Sequence, residues 1–170
     1  MPTGLKQTSS VVAVGFETRE TGANTFTQGV TDLNLSPLDQ EVFVVLSINM
    51  DPSTPDSVAG TDTFVNASLT TTSKLALANL SDANCLANST NAIRAAGFVD
   101  SGCAFQTGAI ETPPANLDYI GIIATNDFFV QVQGQGNLGI KQVTGKIYGY
   151  RARADAAIYA ALVQSEALSA

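Results

Sequence analysis

FFVQVQGQGNLGIKQVTGKIYGY (residues 128–150), continuing as RARADAAIYAALVQSEAL (151–168), is the stretch whose reading decides the fold. Two extended segments flank a turn that carries Gly134, Gly136 and Gly139, residues that supply positive φ at no steric cost. The pattern predicts a hairpin of two strands that feeds a helix without a break. In that helix Asp155 stands at the N-cap. Ile158, Tyr159, Leu162 and Val163 form an apolar stripe bordered by Ala156, Ala160 and Ala161.

Moving outward, EVFVVLSINM (41–50) reads as a central strand with Val42, Val44, Leu46, Ile48 and Met50 on one face. SSVVAVGFE (9–17), TFTQGVTDLNL (25–35) and LDYIGIIAT (117–125) also read as strands. TFVNASLTTTSKLALANL (63–80) fits one long strand or two short ones. The period changes in SDANCLANSTNAIRAAG (81–97). There Ser81 or Asp82 offers an N-cap, Leu86, Thr90 and Ile93 recur at helical spacing, and Gly97 offers a C-terminal stop, so a short internal helix is expected. FVDSGCAFQTGAIETPPANLD (98–118) reads as loop, with Pro113-Pro114 interrupting regular structure. The expected division is a flexible N-terminal arm over residues 1–9, a β-sandwich domain over 10–154 and a closing helix over 155–170.

Composition agrees with one all-β domain. Of 170 residues 45% are hydrophobic and 14% charged, with much Ser, Thr, Asn, Gln and Gly, which suits sheets and polar turns better than solvated helices. The strands do not alternate regularly with helices, as a nucleotide-binding α/β sheet requires. Eight Lys plus Arg against fifteen Asp plus Glu give −7, a charge that opposes binding to nucleic acid or anionic lipid. No run approaches the roughly 18 apolar residues of a membrane span, and MPTGLKQTSS predicts no secretory leader.

Reaction chemistry finds little footing. With no histidine, the commonest general base and the usual partner of a Ser or Cys nucleophile are missing. There is no GxSxG elbow or phosphate-binding GxxxxGK[ST], and QGQGNLG lacks dinucleotide spacing. Glu17, Glu41 and Glu111 are available to supply a carboxylate pair for glycosidic hydrolysis, but any acidic chain offers such candidates. Asp51, Asp56 and Asp62 do not have EF-hand spacing and read as turn residues. Cys85 and Cys103, without CxxC spacing, predict no zinc site. They read as two buried thiols, with a single disulfide as the alternative. The three sequons at Asn66, Asn79 and Asn88 are close to the roughly two that chance supplies at this composition. No catalytic residue, cofactor or metal is expected, and the chain is not read as an enzyme.

Basic charge gathers at Lys141, Lys146, Arg151 and Arg153, on both parities of an extended segment, so it makes no single face for nucleic acid. Arg151 and Arg153 suit either salt bridges at a strand edge or ties to a neighbouring copy. The stripe of Ile158, Tyr159, Leu162 and Val163 suits packing on its own domain or across a neighbour. These six residues are the candidate intersubunit contacts.

FVQVQG (129–134) and KIYGYRARAD (146–155) resemble the closing strands of single jelly-roll capsid proteins of tailless, membrane-containing bacterial and archaeal viruses. The resemblance covers chiefly residues 129–155, and no motif in it is diagnostic as a metal-ligand signature is. It implies a single jelly-roll-like antiparallel β-sandwich that self-assembles into a virion shell in the host cytoplasm, with copies of itself and other virion proteins as partners. It implies neither catalysis nor a cofactor; the net charge of −7, for its part, predicts no direct contact with nucleic acid or membrane. A decoration, turret or tail-associated protein of a tailed phage shares this composition. A β-sandwich carbohydrate-binding module is the third reading, although such modules stack sugars on exposed aromatics and this chain has no Trp.

Overall fold

The computed structural model describes residues 1–99, 102–108 and 117–170, with the side chains of residues 106–108 left aside. Among the described residues ten strands precede one helix: β1 (Leu5–Gln7), β2 (Val12–Arg19), β3 (Thr27–Asp32), β4 (Glu41–Pro52), β5 (Thr63–Thr70), β6 (Cys85–Arg94), β7 (Cys103–Gly108), β8 (Gly121–Ile123), β9 (Asp127–Gln135), β10 (Gln142–Ala154) and α1 (Ala156–Leu168). They form an antiparallel sandwich. In sheet A, β10 lies between β4 and, end to end on its other side, β2 and β1, while β8 extends the sheet beyond β4. Sheet B has the order β3-β9-β5-β6-β7. The eight strands β2-β10-β4-β8 and β3-β9-β5-β6 thus follow the two interleaved Greek keys of a jelly roll.

The inner faces meet in one core. Phe16, Phe43, Ile48, Met50, Val143 and Ile147 from sheet A pack against Val65, Leu69, Phe128, Val130 and Val132 from sheet B. Phe16 and Phe128 join the layers edge to face, with ring centroids 5.9 Å apart. A side chain at Gly145 would collide with the Asn49 carbonyl and the Phe16 ring, and one at Gly149 with the Val44 carbonyl and the Phe43 ring. The two glycines of GKIYGY (145–150) therefore admit two aromatic rings beneath β10.

The expected 128–150 hairpin is corrected. β9 pairs with β3 and β5, and β10 with β1, β2 and β4, so residues 136–141 cross from one sheet to the other. Side-by-side pairing would leave Phe128, Val130 and Val132 in the same layer as Val143 and Ile147. Crossing sets them face to face across the core.

The single apolar face expected on β4 is also corrected. Opposite Tyr148 and Gly149 stand Ser47 and Val45, which leaves Leu46 as the extra residue of a bulge. Phe43 and Val45 point inward before it and Ile48 and Met50 after it, while Val42 and Val44 point outward to a second apolar cluster. The strand is apolar on both parities over 42–46, so a change of parity leaves no apolar side chain in water.

The internal helix over 81–97 is replaced by β6. Three of its polar residues find partners on other segments: Thr90 Oγ1 donates to Asn66 Oδ1 (2.9 Å), Asn91 Nδ2 to the Pro52 carbonyl (2.7 Å) and Asn88 Nδ2 to the Ala78 carbonyl (2.9 Å). Strand β5 ends at Thr70, and residues 71–80, expected as strand, lie irregularly over the outer face of sheet B. Part of the loop expected over 98–118 is β7, and Pro113-Pro114 and Glu111 lie outside the described residues. Within the arm expected over 1–9, β1 pairs with the end of β10 and buries Leu5. The closing helix forms as expected after Asp155, although Asp155 makes no side-chain cap bond.

Candidate functional site

All six candidate contact residues find partners within their own chain. Arg151 donates from Nη2 to the Leu33 carbonyl (2.7 Å) and from Nη1 to the Asn34 carbonyl (3.2 Å), and it meets the Glu41 carboxylate at 3.4 Å. These bonds hold the 33–40 connection, where Asn34 and Gln40 adopt positive φ. Arg153 donates from Nε to the Asp39 carbonyl (2.9 Å) and from Nη2 to Asp39 Oδ1 (2.8 Å). Ile158, Tyr159, Leu162 and Val163 are half-buried against Leu5, Val42, Val44, Ala124, Tyr150, Ala152 and Ala154. The bulge in β4 and the even-numbered residues at the end of β10 build this apolar outer face of sheet A, and α1 covers it. The bulge creates an apolar seat for the helix stripe on its own sheet, and both arginines hold the 33–40 connection of their own chain.

Glu166 anchors the far end of α1. Its side chain is buried, with Oε1 accepting the Ala124 N–H (2.9 Å) and Oε2 the Thr125 N–H (3.1 Å). Asn84 Nδ2 also donates to the Glu166 carbonyl (3.3 Å). Burial pushes the carboxyl above its usual range, the Ala124 N–H together with the Thr125 hydroxyl and N–H pulls it partly back, and the Asp127 carboxylate adds to the rise.

The crossing between β9 and β10 holds the other charged network. Buried Glu20 accepts the Gly134 and Lys141 N–H groups, one at each end of the crossing. Asp56 accepts the Leu138 and Gly139 N–H groups (both 2.9 Å) and pairs with Lys141 Nζ at 2.6 Å. The Lys141 ammonium and the Gly139 N–H hold the Asp56 carboxyl below its usual range. Asn137 and Asn24 exchange two side-chain to main-chain bonds (2.9 Å each), and Gly136 takes the turn at φ 71°. Asp56, Asn24 and Glu20 lie far from the crossing in sequence, and no spacing links them to it.

A third network was equally invisible in sequence. Gln131, fully buried on the outward parity of β9, accepts from Ser68 Oγ (2.7 Å) and donates to Thr70 Oγ1 (2.7 Å) and Gln28 Oε1 (2.9 Å).

None of these arrangements has the form of a reaction centre. Asp62 accepts the Ala95 and Ala96 N–H groups and pairs with Arg94 at 3.0 Å, so Asp51, Asp56 and Asp62 do not converge on one point. Among the described residues no three His, Cys, Asp or Glu side chains gather as metal ligands. Both cysteines are free, Cys85 buried and Cys103 exposed. Cys103 stands opposite Arg94, at the far end of β6 from Cys85 and roughly 30 Å from it at strand rise, which rules out the disulfide alternative within the chain. Among the described residues no helix is long and apolar enough to cross a membrane. No protein-family model, curated protein or solved structure matches the chain.

Proposed function

We propose that the chain is a virion structural protein that assembles with copies of itself, and with other virion proteins, into a capsid shell. The observation that carries this reading is the strand order of the two sheets, the jelly-roll arrangement common to viral shell proteins, lectin domains and cupins. A chain with neither histidine nor tryptophan is poorly equipped for imidazole ligation of a metal or for stacking sugars, which favours the first of the three. Large apolar side chains at connection tips, Leu38, Leu75, Val99 and Leu138, are nearly all in solvent, and they suit burial against neighbouring subunits.

Electron microscopy of the native source material tests the reading. The expected image is a closed surface tiled by this chain. Its isolation there as a lone molecule, together with a purified chain that stays monomeric at high concentration, would overturn the proposal.

A further inference from the structure

Glu166 is a buried carboxylate with an unusual set of partners. Two backbone N–H groups, of Ala124 and Thr125, hold it, and among the described residues its carboxylate makes no ion pair. Among the described residues the charged groups around it are few. α1 carries no other titratable side chain apart from Tyr159, and neither a cation in its last turn nor an acid in its first. Strand β9 presents Asp127, a like charge. The 71–84 segment presents neutral Asn84, and its one cation, Lys74, is paired with Asp82 at 2.8 Å. Sheet A beneath α1 presents Tyr150 among aliphatic side chains. A carboxylate removed from water without a cation disfavours its own ionised form.

The rest of the helix is lightly held. Its four stripe residues are only half-buried, and Glu166 is its one buried residue. The connection to β10 is Asp155 alone, in an extended conformation. Release of α1 would uncover Val42, Val44, Ala152 and Ala154 while leaving the inter-sheet core intact, because none of the four belongs to that core.

We propose that Glu166 is a proton-controlled latch, which seats α1 on sheet A more firmly in mild acid and loosens it towards neutral and alkaline pH. The direction follows from the two states of the carboxyl. Seated, Glu166 is desolvated and prefers its proton; released, it is an ordinary solvated acid. Protons therefore bind preferentially to the seated form. Seating is strongest below the ordinary carboxyl range and weakens as pH rises through the elevated value of the seated state. Loosening presents an apolar sheet face, so pH becomes a control on how much sticky surface the molecule offers. This property belongs to the single chain and does not depend on shell assembly.

Hydrogen exchange of the α1 amides, corrected for intrinsic exchange rates and followed from about pH 7.5 to about pH 5, tests the latch. Protection is expected to rise on acidification, by up to about tenfold for each pH unit that the seated carboxyl stands above its ordinary value. Glu166→Gln should abolish this pH dependence. Asp127→Asn keeps the latch residue but removes the facing like charge, and it should move the midpoint to lower pH. Protection that is flat or falls with acid in the wild-type chain would overturn the proposal. So would an Asp127→Asn midpoint that does not move, or the same pH response in Glu166→Gln.

Discussion

Apart from the Glu166 anchor at its far end, α1 covers the outer face of sheet A through aliphatic and aromatic side chains: Val42, Val44, Ala152 and Tyr150 against Ile158, Tyr159, Leu162 and Val163. The outer face of sheet B meets its cover, residues 71–84, through hydrogen bonds. Ser68 Oγ accepts the Ala78 N–H (3.3 Å), Gln28 Oε1 accepts the Lys74 N–H (2.8 Å), and Gln131 ties Ser68, Thr70 and Gln28 together beneath. Apolar contact is non-directional, so the first cover can slide or lift by degrees. Buried polar bonds must be made in one geometry or left unmade at a cost, so the second cover behaves as part of its sheet.

The sharpest way to break this contrast is at Gln131. Gln131→Ala removes one acceptor and two donated bonds at a fully buried position, and it should destabilise the chain by about 3 kcal/mol, read as a lower midpoint in urea unfolding. On the other face, Ile158→Ser with Leu162→Ser removes two half-buried aliphatic contacts. The expected loss is smaller, about 2 kcal/mol, with the inter-sheet core retained. Circular dichroism should then show helix loss without loss of the β signal.

How much of this was legible in the sequence depends on which forces each residue answers to. The strand character of 128–135 and 142–154 is written in local alternation, as is the apolar stripe of α1. Pairing is not local. Gly134, Gly136 and Gly139 mark a reversal of the chain, but the crossing is held by Glu20, Asn24 and Asp56, which lie more than 75 residues away. The bulge at Leu46 was hidden because Val42 to Leu46 are apolar without interruption, so either parity satisfied the pattern. In β6 the weak helical spacing of Leu86, Thr90 and Ile93 lost to ladder bonds on both edges and to partners for Asn88, Thr90 and Asn91. Among the candidate contact residues, the sequence identified a real apolar stripe and two committed arginines. The seat of the stripe was hidden with the bulge, which places Val42 and Val44 outward, and the arginine partners Leu33, Asn34 and Asp39 lie more than 100 residues away.

The measurement that tests the contrast between the two covers most directly is native-state hydrogen exchange at neutral pH, comparing α1 amides with those of Thr71 and Ala78, which donate to the Asn84 carbonyl and to Ser68 Oγ. The predicted result is that α1 exchanges through a local opening, at a free energy well below that of global unfolding, while Thr71 and Ala78 exchange only when the whole sandwich unfolds. The reverse order, with residues 71–78 opening first and α1 protected to the global limit, would contradict it.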